Sequence, residues 1–464
     1  MRCCGRWRVA AVLAACNASL PMAAQTWDVR VAFDGSGPSF DTPIDAMVLP
    51  DGTRALGFRD ATGRPTVAYD TPDGSAGFSS FSADTPVAGA LDFVSDAFGI
   101  VHFATPTNGL GYGMDFGRRE NLALDFEFSS GAPVSSADVA IAVDARGVPT
   151  IAYQTEPGFP RYTLDTFDPV DARWGSRWVP MSSDSSLSVF SVDAAYLADG
   201  RLALLSQNLS GLEIQIEDAS LGWAAPFVLT ADLPAFSFAQ AGLTAYGSEG
   251  WAFSTFDSGG VEVGVYDGAF LTRERLPLPS NAYRLLDGGI ASDGEGGLGV
   301  VFTDFDSNTF YAERFGPDDW RVENLGVSGE FAALAYDADG SPVIGVLEDD
   351  SDAVLLVTRG IVGDYNGSGQ VEQGDLNLVL NNWGLDTSPE AAGVPAGWVN
   401  DRPSGVIDQA ELNGVLNNWG ATGPPSLPGA AGNAVVPEPA GAIGLGGAVG
   451  LLIRRRRQLR SAIA

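Results

Sequence analysis

Lysine is absent from this 464-residue chain; all 26 of its basic residues are arginine. Cysteine occurs only at Cys3, Cys4 and Cys16, so the rest of the chain holds no disulfide framework, thiol nucleophile or cysteine-based metal site. The only histidine, His102, excludes His-rich metal sites and leaves one base for any Ser-His-Asp triad. It lies in the apolar run Ile100-Val-His-Phe103, which reads as a packed strand position. No Gly-rich nucleotide loop and no Gly-x-Ser-x-Gly nucleophile turn occurs. Positive charge is scarce and misplaced. Arg2, Arg6 and Arg8 sit at one end, and Arg454, Arg455, Arg456, Arg457 and Arg460 at the other. Without those eight, 18 basic residues face 58 acidic ones, about −40 in net charge. Such a surface repels phosphate backbones and anionic lipid, which argues against nucleic-acid binding.

The two ends read as addresses. Residues 1–24 have a basic start, an apolar run Val9–Ala15 and small residues before Gln25, the pattern of a secretory signal peptide. Leu13-Ala-Ala-Cys16 also resembles a bacterial lipobox, which would lipidate Cys16. At the other end, Val436-Pro437-Glu438-Pro439 precedes a 14-residue apolar stretch, Ala440–Ile453, and then Arg454, Arg455, Arg456 and Arg457. A relaxed membrane span needs about 20 residues. The stretch therefore suits a transient stop before a cationic cluster that resists crossing. This three-part order resembles the PEP-CTERM sorting signal. The resemblance implies an exosortase-type processing enzyme acting near Pro437, Glu438 and Pro439. It also implies a destination at the cell surface or in the extracellular matrix of a Gram-negative-type bacterium, with only passing membrane contact.

Between the ends, the body repeats a phrase: a β-rich run, a polar turn with glycine, another β-rich run. Ala140–Tyr153 and Leu334–Val346 show it most clearly. Turn glycines fall near Gly52, Gly99, Gly147, Gly200, Gly250, Gly296 and Gly340, with spacings of 47, 48, 53, 50, 46 and 44. A period near 50 in an all-β chain signals a propeller. Asp-x-Gly turns supply the positive backbone angles of tight hairpins. The seventh repeat offers three strands: Ala332–Tyr336, Pro342–Leu347 and Ala353–Thr358. An orphan strand, Trp27–Phe33, would complete it and hide two open edges. The expectation is an all-β, seven-bladed β-propeller over 25–360; a β-sandwich array is the alternative.

Residues 361–422 break the pattern. Gly363–Gly384 and Asn400–Gly420 are near copies, 36 residues apart. In the first, Asp364, Asn366, Ser368, the Gln370 carbonyl and Asp375 occupy positions 1, 3, 5, 7 and 12, oxygen ligands suited to a hard cation. The second is weaker: Asn400, Ser404, the Val406 carbonyl and Glu411 remain, but Arg402 stands at a ligand position. The duplicated loop–helix unit resembles a type I dockerin. That implies a small α-helical module, Ca²⁺ in the first loop with a weaker second site, and a cohesin-like partner. Residues 423–435 read as a linker and 436–464 as the sorting signal.

Two function classes follow. One is a non-catalytic exported protein whose propeller binds or displays, with extracellular polysaccharide as a ligand class. The other is a polysaccharide-degrading hydrolase or lyase carrying a dockerin. Most noted acids lie in Asp-Gly turns, where capping explains them, and this favours the first class; no catalytic residue is assigned.

Overall fold

The structure is a computed structural model. It describes residues 25–420 except 35–42, 71–77, 83–90, 107–109, 116–122, 129–138, 154–160, 169–172, 181–188, 209–210, 219–221, 224–226, 231–240, 249, 258–259, 279–284, 295, 305, 339, 349–352, 362, 367–369, 388–394, 396–397 and 399–405. The signal peptide, Pro437–Pro439 and the arginines 454–457 lie outside the described residues. So does the whole of a separate unit, Pro428–Ala464.

Twenty-nine strands among the described residues pair antiparallel into seven sheets. Sheet 1 joins β2 (Asp45–Val48), β3 (Arg54–Arg59), β4 (Pro65–Asp70) and β5 (Ser79–Ser82). Sheet 2 joins β6 (Asp92–Ser95), β7 (Val101–Pro106), β8 (Leu110–Asp115) and β9 (Ala123–Phe128). Sheet 3 joins β10 (Val139–Val143), β11 (Pro149–Tyr153), β12 (Arg161–Asp168) and β13 (Arg173–Pro180). Sheet 4 joins β14 (Val189–Tyr196), β15 (Leu202–Asn208), β16 (Gly211–Asp218) and β17 (Gly222–Trp223), with β18 (Phe227–Thr230) also on β16. Sheet 5 joins β19 (Gly242–Tyr246), β20 (Gly250–Asp257), β21 (Gly260–Tyr266) and β22 (Leu271–Arg275). Sheet 6 joins β23 (Leu285–Ser292), β24 (Leu298–Asp304), β25 (Asn308–Gly316) and β26 (Asp319–Ser328). Sheet 7 joins β27 (Phe331–Tyr336), β28 (Pro342–Leu347) and β29 (Val354–Ile361) to β1 (Gln25–Phe33), which pairs with β29 from Gln25↔Ile361 to Phe33↔Val354.

The first strands of successive sheets touch in turn, β2 to β6, β10, β14, β19, β23 and β27, and β27 returns to β2. The sheets thus stand around one axis, and the core is divided into layers between neighbouring sheets. One such layer sets Ala140, Ala152 and Leu164 of sheet 3 against Val192, Ala194 and Leu204 of sheet 4. The alternation of side chains along each strand explains this: successive residues serve the two opposite layers.

Three aspartates on first strands tie sheet 1 to sheet 2, sheet 2 to sheet 3 and sheet 4 to sheet 5. The Phe93 amide donates to Asp45 Oδ2 at 3.0 Å, the Ile141 amide to Asp92 Oδ2 at 2.6 Å, and the Leu243 amide to Asp193 Oδ2 at 2.6 Å. At matching positions sheets 5 and 6 carry Gly242 and Gly289. A Cβ on Gly289 would lie 3.2 Å from the Leu334 amide nitrogen, so the close approach of sheets 6 and 7 favours glycine there.

One sequence expectation is corrected. Gly250 is no turn residue: it is the first residue of β20, opposite Tyr246. The loop between β19 and β20 is two residues shorter than those between the first two strands of sheets 1 to 4, and Gly247, at φ 62°, lies in it. In sheet 4 the outer position is divided between β17 and β18, both hydrogen-bonded to β16.

After β29 the chain forms α1 (Gln373–Asn381) and α2 (Gln409–Asn417). Their bonding repeats at an offset of 36. The Glu372 amide donates to Asp375 and the Asp408 amide to Glu411; the Gly384 amide donates to Ile407 and the Gly420 amide to Val371. Tyr365, Val371, Val379, Trp398, Ile407 and Val415 form the module's own core.

Candidate functional site

The chemistry-bearing side chains of the ring gather at the seams between sheets. Among the described residues, four seams hold an arginine facing a carboxylate on the neighbouring sheet. Arg30 of β1 reaches Asp70 of β4 at 2.5 and 3.1 Å, joining the chain's first strand to sheet 1. Arg314 of β25 meets Glu274 of β22 at 2.6 Å, and the Trp320 indole donates to the same carboxylate at 2.7 Å. Arg359 of β29 meets Glu313 of β25 at 2.6 Å, with its guanidinium 5.4 Å from the Trp27 ring centroid. Arg177 of β13 grips both oxygens of Glu217 of β16, with its guanidinium 5.8 Å from the Trp223 ring centroid.

These pairs differ in burial, and burial decides what each can do. Side-chain exposures are 16% and 1% for Arg30–Asp70, 11% and 2% for Arg314–Glu274, and 8% and 3% for Arg359–Glu313. Arg177–Glu217 stands apart at 38% and 25%. A buried pair has traded its water for its partner and holds the sheets together. An open pair keeps N–H donors and oxygen lone pairs available to a third group.

Electrostatics follow the same division. Burial alone would raise the Glu274 carboxyl, but the Arg314 and Trp320 hydrogen bonds and the Arg314 charge outweigh it and hold it below 4.5. Burial pushes the hydroxyls of Tyr311 and Tyr336 up, and the two bond to each other at 2.8 Å beside the Arg359 seam. Tyr196 is raised by burial too; its hydroxyl bonds Thr150 at 2.8 Å and feels the charges of Arg177 and Glu217.

A small cavity lies among the first strands of the sheets. It measures about 150 Å³ and is lined in part by Asp45, Asp92, Asp193 and Gly289. Ligand pockets run to ~300–1,000 Å³, so a sugar ring finds little room there. His102 is buried on β7 with Nε2 3.2 Å from Asp96 Oδ2, a packed histidine between strand and turn. Asp304 holds its own turn, accepting from the Asp306 and Asn308 amides.

In the helical module, Asp364 and Asp375 are both buried, at loop positions 1 and 12. The Asn366 amide donates to Asp375 Oδ1 at 2.9 Å and the Glu372 amide to Oδ2 at 2.8 Å, drawing loop start and loop end together. Gln370 is exposed, and Ser368 lies outside the described residues. Two enclosed carboxylates bracketing a loop of oxygen donors form a donor set that fits a hard cation. In the second copy Glu411 accepts from the Asp408 amide at 2.7 Å, and Val406 makes an isolated bridge with Asp386. Asn400 and Ser404 lie outside the described residues. Among the described residues no three His, Cys, Asp or Glu side chains converge as a metal cluster.

The sequence reading missed Arg177, Glu217 and Trp223. A signal was present: Arg30 and Asp70, Arg177 and Glu217, and Glu274 and Arg314 are each 40 residues apart, somewhat under one repeat. Opposite charges recurring at nearly the repeat length mark a sheet-to-sheet contact.

No family model and no curated protein matches the chain. Solved structures do. The BP39L lectin from Burkholderia pseudomallei aligns with a TM-score of 0.52 at 12% identity, over 71% of this chain and 96% of that one. A fungal lectin from Aleuria aurantia, described as a six-bladed β-propeller with a novel mode of fucose recognition, aligns at 0.45 and 12%, over 63% and 96%. The polysaccharide lyase Uly1 aligns at 0.45 and 9%, over 71% and 90%. The chain folds as a β-propeller. Its own strand pairing has seven sheets, one more than the six printed for the fungal lectin.

Proposed function

We propose that the propeller is a non-catalytic carbohydrate-binding module of an exported surface or matrix protein. The observation that carries this reading is the likeness of its ring to the Burkholderia lectin across nearly the whole of that lectin. Surface chemistry supports it. Trp178, Phe98, Phe270 and Phe315 are each at least half exposed, and apolar ring faces on a strongly acidic, lysine-free surface suit uncharged glycans over anionic ones. On this reading the ring is seven-bladed and is closed by β1, in keeping with the succession of sheets about the axis.

The remaining parts are assigned from the sequence. Asp364, Asn366, Ser368, Gln370 and Asp375 would hold Ca²⁺, which would fix the first loop of the dockerin-like module; a weaker site would use Asn400, Ser404, Val406 and Glu411. The ion's chemistry there is structural: it neutralises two enclosed carboxylates. A cohesin-like partner would find Leu380 and Trp383 exposed on one copy and Leu416 and Trp419 on the other. Pro437-Glu438-Pro439 and Arg454–Arg457 would be read by an exosortase-type enzyme, leaving the protein at the cell surface or in the extracellular matrix.

The test uses the mature chain with Ca²⁺ on a panel of immobilised polysaccharides. Retention on a neutral glycan with no new reducing ends is the expected result. Release of reducing ends or unsaturated products would overturn the non-catalytic reading.

A further inference from the structure

The four arginine–carboxylate seams are built from the same parts, yet only one is open. At the seam of Arg314 the fork is used up, and at that of Arg359 it is enclosed, with Nε buried and unpartnered. Arg314 spends Nε and Nη2 on Glu274 and Nη1 on the Tyr246 hydroxyl at 3.2 Å, while Trp320 covers the carboxylate. Arg359 is walled by Trp27 and Tyr311. Arg30 serves Asp28 as well as Asp70.

The sheet 3–sheet 4 seam has the same elements in an accessible arrangement. Arg177 projects from the outermost strand of sheet 3, opposite Leu164 in register. Glu217 and Trp223 lie opposite each other on sheet 4. The outer position there is shared by two short strands, β17 and β18, and the Arg177 and Glu217 side chains are 38% and 25% exposed. Arg177 uses two of its donors on Glu217; its Nε is enclosed without a partner, and the remaining Nη protons are unused on a side chain that is 38% exposed. Glu217 keeps acceptor capacity next to those donors.

We infer that this seam, formed by Arg177, Glu217 and Trp223, is a glycan-binding site that takes an uncharged pyranose through two adjacent hydroxyls. A hydroxyl both donates and accepts, so a vicinal pair matches a guanidinium edge beside a carboxylate. The ion pair is neutral as a unit and gives no net attraction for an acidic sugar. The Trp223 indole supplies an apolar wall for the C–H face of the ring. Exposure alone does not make such a site. Arg273 and Glu262 form an equally open pair, 42% and 16% exposed, but they lie within sheet 5 on paired strands.

This inference rests on the glycan-binding reading, and one experiment separates the two. Wild-type protein, Arg177→Lys, Glu217→Gln and Arg273→Ala are passed over immobilised neutral and acidic polysaccharides, and each is checked by thermal melting. Arg177→Lys keeps the charge but loses the two-sided fork; Glu217→Gln keeps the shape but loses the charge. The expected result is retention of the wild type on a neutral glycan, at least tenfold weaker for Arg177→Lys and Glu217→Gln, and within twofold for Arg273→Ala. Retention of all four proteins alike would overturn the seam as the site and leave the glycan-binding reading intact. Retention of the wild type on acidic polymers alone would overturn the uncharged-ligand claim. Retention on none would remove the reading and this inference together. Should either variant melt far below the wild type, competition of the wild type by free neutral monosaccharides with and without a vicinal diol decides instead: equal competition overturns the diol contact.

Discussion

Replacing Arg314 by alanine would strand Glu274, a carboxylate only 2% exposed, with the Trp320 indole as its remaining side-chain donor. Removing one partner of a buried pair costs ~3–5 kcal/mol, and the surviving hydrogen bond puts this case near the lower end, about 3 kcal/mol. A ring of roughly 340 residues unfolds with an entropy of about 0.7 kcal/mol/K, from ~2.1 cal/mol/K per residue, so the midpoint should fall by about 4 °C. Arg177→Ala removes the same kind of pair at an open seam. Exposed pairs contribute ~0.2–1 kcal/mol, so its midpoint should fall by about 1 °C or less. Calorimetry of both variants at pH 7 in low and moderate salt provides the comparison. A further control is Arg314→Met with Glu274→Gln, which removes both charges and should recover much of the loss. Equal shifts for the two single variants would refute the argument that burial separates latch from site.

Glu274 also sets a pH dependence. Its carboxyl is held below 4.5 in the fold, so its contribution is full above that value and is lost as pH falls through the lower folded value. In Arg314→Ala the buried carboxyl rises instead, so the melting difference between wild type and variant should shrink as pH falls from the variant's raised value through the wild type's lowered one. Gly250→Ala places a Cβ against the Tyr266 carbonyl oxygen; a loss of ~2 kcal/mol or more in urea unfolding is expected, against well under 1 kcal/mol for alanine at Ser248 in the adjacent turn. Deleting Gln25–Phe33 bares the β29 edge and removes Arg30 from Asp70; loss of the cooperative transition and concentration-dependent aggregation should appear by light scattering. Calcium at a hundred times its dissociation constant should stabilise the helical module by ~2.7 kcal/mol, read as chelator-sensitive protection of Trp398 from quenching; no chelator effect would exclude the cation.

The repeat was legible because its turns need particular residues. Gly52, Gly99, Gly147, Gly200 and Gly340 all hold φ between 77° and 85°, and Asp96 and Asp144 each accept two amides of their own turns. Those are local demands, written residue by residue. The duplicated helical module was legible for the same reason: Gln373 and Gln409 bond Asn377 and Asn413, and Asn382 and Asn418 bond carbonyls of their own helices four residues back. The fifth hairpin was misread because Gly247 and Gly250 both fit a turn, and pairing with Tyr246 chose between them.

By itself, then, the sequence determined an all-β repeat, the positions of most turns, the strand β1 ahead of the first repeat, and a pseudo-symmetric pair of helices. Local backbone preferences and strand alternation suffice for these. Only the tertiary structure decided which of the described seam arginines are buried against their partners and which stays exposed. Arg177, Arg314 and Arg359 are the same residue type, each on a strand and each facing a glutamate of the neighbouring sheet. What separates them is how far the neighbouring outer strand and its tryptophan cover the pair. Burial of that kind is a property of two sheets packed together, and no single segment of chain encodes it.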